Sequence, residues 1–355
     1  MTDVQRLHDA HRISFASDNL AGVHPEVLAA LSTANSGHVA GYGEDVYTGA
    51  FDDLVVDLFG EGALAYPVLN GTGANVLALA AATPRWGGVL TPVSSHLVTD
   101  EAGAPERSAG LKLIQSPAPD GKLTVEDVRG AAADLGNQHH AQPTTVSIAN
   151  VTELGTLYSP EEIAALSTEA HAHGMLLHLD GSRLANAAAA LSVDLGALTT
   201  EVGVDILSLG ATKNGAMLAE AVVVLPGAPA GLAHAVHMSR KAQTQLVSKT
   251  RFVSAQLLAM FGTDLWRRNA DRANTATARL AEGLRASGLT PVHTVGANLI
   301  FTPLPQDRIE QLRAEFDFHG DGTQASPARL VCAFDTPDDA VGRFVAALTG
   351  AAGAA

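Results

Sequence analysis

The stretch from Ser159 to Asp180, "SPEEIAALSTEAHAHGMLLHLD", constrains the fold more than any other in the chain. Ser159 suits an N-cap, Pro160 the first helical position and Glu162 the third position of a capping box, so a helix starts here with orphan backbone donors satisfied. Ile163, Leu166 and Ala170 recur on one face, and Gly174 is placed to stop the helix. The apolar run "MLLHLD" follows at once, short and bounded like a buried strand. Helix and strand together are most of a βαβ unit, and "TTVSIANV" before them, with "DILSLG" and "AEAVVVLP" after, supply neighbouring strands. Helical and strand signals alternate through most of residues 1–230, which predicts an α/β chain with a mainly parallel sheet covered by helices on both faces.

That alternation ends in "MSRKAQTQLVSKTRFVSAQLLAMFG", which has helical spacing and leads into a polar-faced helical region over roughly 264–288. Beyond it come "ANLIFTPL", the helix-like "QDRIEQLRAEFDFHG", the strand-like "ARLVCAF" and a last helix from Pro337, a small α+β arrangement. The expected division is an N-terminal arm over 1–20, a large domain over 21–250 and a small domain over 251–355, with "GAAGAA" frayed at the end. The 355 residues, 46% of them hydrophobic, are enough for such cores. With 22 basic against 37 acidic residues the net charge is −15, which disfavours nucleic acid or an anionic membrane as a partner. The single Cys332 excludes an intramolecular disulfide, the N-terminal "MTDVQRLHDAHRISFASDN" lacks the apolar core of a signal peptide, and no uninterrupted apolar stretch is long enough to span a membrane. A cytoplasmic location is expected.

Three features fall at strand ends and helix starts, where open α/β sheets carry ligands. In "LSLGATKNGAM" the lone Lys213 sits among small and apolar residues, so it must be exposed, paired or held neutral by chemistry. In "LNGTGANVLALAAA" a loop containing Gly71, Thr72 and Gly73 enters a helix; it is either an ordinary turn or a phosphate cradle. In "LHLDGSRLANA" Asp180 ends a strand, with Arg183 shortly after; the carboxylate either caps the next turn or pairs with a ring nitrogen. Together, an anion cradle, a strand-end aspartate and a lysine one strand further on are the parts that pyridoxal 5'-phosphate requires.

Eight segments in order, "FASDN", "YGEDVYT", "NGTGAN", "SSHLVTDEAGAPE", "VTELGTLYSPEE", "LHLDGSRLANA", "GVDILSLGATKNG" and "ARLVCAFDT", resemble the low-specificity L-threonine aldolases, fold-type I pyridoxal 5'-phosphate enzymes related to the β-eliminating lyases. The resemblance implies a transferase-like fold-type I architecture, a large domain around a mainly parallel seven-stranded sheet with a small C-terminal α+β domain. It also implies roles: Lys213 as the Schiff-base lysine, Asp180 on the pyridinium nitrogen, and Gly71, Thr72 and Gly73 on the phosphate. Arg183 would lie near the cofactor's phenolic oxygen and the substrate carboxylate, which Ser17 and Arg329 would also bind, the planar guanidinium donating to both oxygens. His96 matches the histidine that stacks on the ring, and a second histidine near the substrate hydroxyl maps to His139 or His140, the count from Pro143 favouring His139.

Tyr42, Tyr47 and Lys249 match residues that complete a neighbouring subunit's site, in a homo-oligomer that is a dimer or tetramer; no metal is implied. Two departures stand out: "SDN" replaces the "SDT" of many relatives, and "TELGT" stands where others carry an asparagine-rich turn. The implied activity is retro-aldol cleavage of L-threonine, L-allo-threonine or a bulkier β-hydroxy-α-amino acid to glycine and an aldehyde, with His96 or His139 taking the hydroxyl proton directly or through a water. A β-eliminating lyase, an aminotransferase and a silent binding module on the same fold are the competing readings. Gly210, Ala211 and Gly215 would leave room for the cofactor beside Lys213.

Overall fold

The computed structural model describes residues 5–349, so "GAAGAA" and the first four residues of the arm lie outside the described residues. The strands in chain order are β1 (Ile13–Ser14), β2 (Leu64–Val68), β3 (Gly87–Pro92), β4 (Lys112–Ser116), β5 (Gln142–Ala149) and β6 (Leu176–Gly181). They continue as β7 (Ile206–Gly210), β8 (Glu220–Val224), β9 (Leu299–Thr302), β10 (Phe316–Asp317) and β11 (Ala328–Val331). Seven of them form one sheet in the order β2-β8-β7-β6-β5-β3-β4. Pairings from β4 across to β7 are parallel, and β8 alone runs against both of its neighbours.

The predicted βαβ unit is present. Ser159 caps the helix Pro160–Ala172 in a reciprocal box with Glu162, Ile163, Leu166 and Ala170 are buried, and Gly174 leaves the helix at φ +71. All residues of β7 and β8 are buried, because helices cover both faces of the sheet there, which is why these strands read as continuous apolar runs. One face carries the largest core, with Phe51, Phe59, Ile148, Leu177, Leu207 and Leu257. On the other face Leu77, Val222 and Val236 form a smaller cluster under the helix Gly71–Ala82.

A second large core joins Ile13, Phe15, Leu284, Phe316, Leu330 and Phe344. The expected boundary near residue 250 does not match the packing. Val253, Leu257, Met260, Phe261 and Leu265 belong to the first core, and the 22-residue helix Leu265–Ala286 gives Ala270 to the first core and Leu280 and Leu284 to the second. The division therefore falls within that helix, whose amphipathic pattern is continuous and carries no sign of the change of partner. The arm is likewise no free tail, since β1 pairs in parallel with β10 and Phe15 packs against Phe316 and Phe344. No helix among the described residues is long and apolar enough to cross a membrane.

Candidate active site

Parallel strands place their carboxyl ends on one edge of the sheet, and the loops leaving that edge build the site. His96 follows β3, Glu153 follows β5, Asp180 closes β6, Lys213 follows β7, and Gly71 opens the helix after β2. Because β8 is reversed, its first residue, Glu220, lies on the same edge, paired in register with Gly210. Two adjoining cavities share His96 and Lys213. The deeper, about 200 Å³, is lined by Gly71, Thr72, Asn75, Asp180, Ser182 and Glu220 among others. The wider, about 610 Å³, has Ser17, Glu153, Arg183, His319 and Arg329 in its walls.

Asp180 is buried, and its carboxylate accepts from Asn75 Nδ2 at 2.7 Å and from the Ser182 backbone N–H at 2.9 Å. Burial pushes its pKa up, but the Lys213 charge and the Ser182 and Asn75 hydrogen bonds outweigh it and hold the group below the usual carboxylate range. A fixed anion thus lies at the floor of a cavity that also holds an amine. Lys213 itself stands on the single 3-10 turn Thr212–Asn214.

The glycines around these residues differ from expectation in detail. Gly73 donates its N–H to the Asn70 side chain at 2.7 Å, and a Cβ on it would fall inside the Gln245 side chain. The helix-start donors without an intrahelical acceptor are then those of Gly71 and Thr72. At Gly210 a Cβ would come within 2.6 Å of the Ser182 Cα and 2.9 Å of Glu220 Oε2, so the space it leaves serves strand packing rather than a cofactor. Gly215, at φ +113, makes the turn after Lys213 possible.

One edge of the Arg183 guanidinium is committed within the protein, while its Nη1 has no protein acceptor among the described residues and remains for a substrate carboxylate in the wide cavity. Its Nε and Nη2 donate to the two oxygens of Asp18 at 2.6 and 2.8 Å, and Asn298 adds a third bond to that carboxylate at 3.0 Å. Burial acts to raise the Asp18 pKa, yet Arg183, Lys213 and Asn298 bring it below the ordinary value. Asp18 is a site residue that sequence reasoning missed, although it lies inside the segment "FASDN". Ser17 and Arg329 do meet in the wide cavity; Arg329 spends Nη1 on the Ala16 carbonyl at 2.9 Å, and burial followed by repulsion from Arg183 lowers its pKa.

His96 Nδ1 is 3.1 Å from Glu101 Oε1, and the buried Glu101 leaves its Oε2 without a partner among the described residues. The hydrogen bond to Glu101 raises the His96 pKa against the effect of burial. The His96 backbone N–H donates to Glu153 at 2.8 Å, and burial pushes that glutamic acid up to about 7. Burial likewise takes Glu220 to about 7 despite its Thr212 contacts and the Lys213 charge.

His139 is not brought to the site. It precedes the amino end of the eight-residue β5 and is exposed, with its backbone bound to Asn137, so roughly 25 Å of strand separates it from the edge that carries Asp180. His140 shares that end, paired with Asp134 at 2.7 Å. The histidine that does join His96 in the wide cavity is His319, from the loop after β10. Lys249 is exposed and absent from both cavity walls of its own chain.

Residues 14–305 match the family described as beta-eliminating lyase. A low specificity L-threonine aldolase of Pseudomonas aeruginosa is 37% identical over 332 residues, 92% of this chain and 94% of the relative. Another of the same name from Pseudomonas sp. NCIMB 10558 is 35% identical over 339 residues, covering 94% and 96%. The solved structure of a Leishmania major threonine aldolase superimposes with a TM-score of 0.88 at 30% identity, over 96% of this chain and 99% of that one.

Proposed function

The chain belongs to the β-eliminating lyase family, and from that membership and the cavity around Lys213 we propose a pyridoxal 5'-phosphate-dependent aldolase that cleaves L-threonine, L-allo-threonine or a related β-hydroxy-α-amino acid to glycine and an aldehyde. The observation that carries this reading is the placement of Lys213 and the buried Asp180 at the ends of adjacent strands, facing one cavity, with Arg329 from the second core in the wall of the adjoining cavity that Lys213 also lines. The residues present fit the cofactor: a buried carboxylate is set where a ring N–H can pair with it, and the buried Asn75 Oδ1 and Ser94 Oγ await partners among the described residues.

When bound, the cofactor supplies an electron sink conjugated with the substrate's α-carbon. Lys213 would hold it through its side-chain amine. Asp180 keeps a proton on the ring nitrogen, which its depressed pKa and fixed hydrogen bonds suit it to do. The Gly71 and Thr72 N–H groups, with the Thr72, Ser182 and Thr212 hydroxyls, line the deeper cavity as donors for a phosphate. The remaining Arg329 donors and Ser17 take the substrate carboxylate and so fix which bond at the α-carbon stands ready to break. Arg183, anchored on Asp18 through Nε and Nη2, brings its charge and its remaining Nη1 donors to the same carboxylate.

The reading includes a homo-oligomer, dimer or tetramer, whose neighbouring subunit completes each site through Lys249, Tyr42 and Tyr47. Exposed apolar side chains support it, among them Leu218 in the cavity wall, at 52% exposure, and Tyr42 and Val46 elsewhere on the surface, at 54% and 71%. A cytoplasmic location and a small-molecule substrate, rather than nucleic acid or membrane, accord with the net charge of −15. Incubation of the purified protein and cofactor with L-threonine, L-allo-threonine and phenylserine tests the activity. Glycine and aldehyde in equal amounts, both lost in Lys213→Ala, are expected; ammonia and a keto acid would instead identify a β-eliminating lyase.

A further inference from the structure

We propose that the Glu153 carboxylate, held by the His96 backbone N–H in the wall of the wider cavity, is the group that accepts the substrate's β-hydroxyl proton. This rests on the aldolase reading of the site. The proton acceptor must stand in the cavity that holds the substrate; within the chain His139 does not line it, whereas His96, His319, Asp100 and Glu153 do, and of these Asp100 is exposed and already accepts from the Thr99 hydroxyl at 2.8 Å. His96 has its Nδ1 committed to the buried Glu101, which leaves Nε2 as its one ring nitrogen for a substrate, and it lines both cavities, as the stacking place on the cofactor ring that the resemblance gives it requires. Glu153 lines the wider cavity alone. One oxygen is pinned at 2.8 Å, no side chain pairs with the carboxylate among the described residues, and burial brings its pKa to about 7, so it is a stronger base than an ordinary carboxylate.

Its charged surroundings come from every side of the cavity. Asp180 and Arg183 face it from the end of β6, and His96 and Asp100 from the segment after β3. Lys213 from beyond β7, and His319 and Arg329 from the second core, complete the wall, while the Tyr158 hydroxyl lies behind. No arginine forms an ion pair with Glu153 among the described residues, so the upward push of burial on its pKa is not cancelled.

In the step, the hydroxyl proton moves to the free Glu153 oxygen and the O–H electron pair becomes the second bond of the aldehyde C=O. The Cα–Cβ pair remains with the α-carbon. That carbon then takes a proton from the Lys213 side, and solvent returns Glu153 and Lys213 to their starting states, so the proton count closes. Hydrogen exchange at the α-carbon of glycine needs Lys213 but no hydroxyl base, and the two reactions are therefore separable.

The test uses the holoenzyme and its Glu153→Gln, Glu153→Asp and His319→Gln variants. Three quantities are measured: threonine cleavage against pH, exchange of the glycine α-hydrogen in deuterated water, and the visible spectrum of the bound cofactor. Glu153→Gln should lower kcat for cleavage roughly 100-fold or more and abolish the acid limb near pH 7, with exchange and spectrum within threefold of wild type. Glu153→Asp should recover part of the rate, and His319→Gln should retain the limb. The assignment is overturned if Glu153→Gln cleaves threonine within threefold of wild type, if exchange falls together with cleavage, or if the limb disappears in His319→Gln instead. A wild-type enzyme that exchanges glycine hydrogen but forms no aldehyde would defeat the aldolase reading itself, a different result from any variant-specific one.

Discussion

Arg183 and Asp18 show how one bond pattern redirects a residue's role. The pair is bidentate and almost wholly buried, and neither partner has water to fall back on. Asp18→Asn would leave the guanidinium buried without its counter-charge, close to Arg329, and should cost about 3–5 kcal/mol in a urea unfolding series while raising KM for threonine. The pH dependence has a definite sign. Because the folded-state pKa of Asp18 is depressed, its contribution is present above the unfolded value of about 3.9 and is lost as pH falls through the folded one, so wild type and variant should converge in strongly acidic buffer. A gap that persists unchanged to the acid limit of the fold would contradict the pairing as the source. At this scale Lys213 and Asp180 are legible because each stands at or just past the end of an apolar strand, whereas Arg329, inside β11, came through the resemblance alone. Asp18 stayed hidden beside Ser17, which drew the carboxylate role, and His139, also given by the resemblance, lies at the amino end of β5, away from its own chain's cavities.

At the scale of elements, strand direction decides more than composition does. "AEAVVVLP" reads as a strand in either orientation, and only the antiparallel pairing of β8 with β7 and β2 puts Glu220 at the lysine end of the sheet instead of the far end. The consequence is a third buried carboxyl near Lys213, with a pKa of about 7 against an ordinary value near 4.5. A carboxyl raised on folding binds its proton more tightly in the native state. Its contribution is intact below the unfolded pKa and is lost as pH climbs to the folded one, a loss on the order of 3 kcal/mol across that window. Glu220→Gln carries no such loss. In cofactor-free protein it should therefore gain stability relative to wild type between pH 5 and pH 8, read from urea midpoints at the two pH values; a difference that does not grow with pH would show that Glu220 ionises freely. The helix Leu265–Ala286 makes a related point: its periodicity was plain, but a helix that changes cores halfway along keeps one apolar stripe throughout.

For the whole molecule, the proposed oligomer makes the boundary between one site and the next subunit testable. Lys249 is exposed in its own chain, yet its loop is tied to the segment before the helix Val46–Phe59: the Tyr42 N–H donates to the Ser248 carbonyl at 3.0 Å, and a side chain on Gly41 would strike the same carbonyl. Tyr42 and Gly43 both hold positive φ there, a shape kept by packing rather than by residue preference. Lys249 and Tyr42, both exposed, tied through neighbouring backbone and absent from both cavity walls of their own chain, are placed to meet another. If Lys249 serves the partner's cofactor, Lys213→Ala and Lys249→Glu subunits should each be inactive alone at limiting cofactor, but complementary when mixed. In a hybrid dimer one site carries both defects and the other carries neither. Random reassembly makes half the dimers hybrids, so unfolding and refolding an equal mixture should restore about a quarter of wild-type activity. If every site is built from a single chain, each hybrid site keeps one lesion and the mixture stays as inactive as its components, so activity in the mixture alone decides whether the catalytic unit is the chain or the pair.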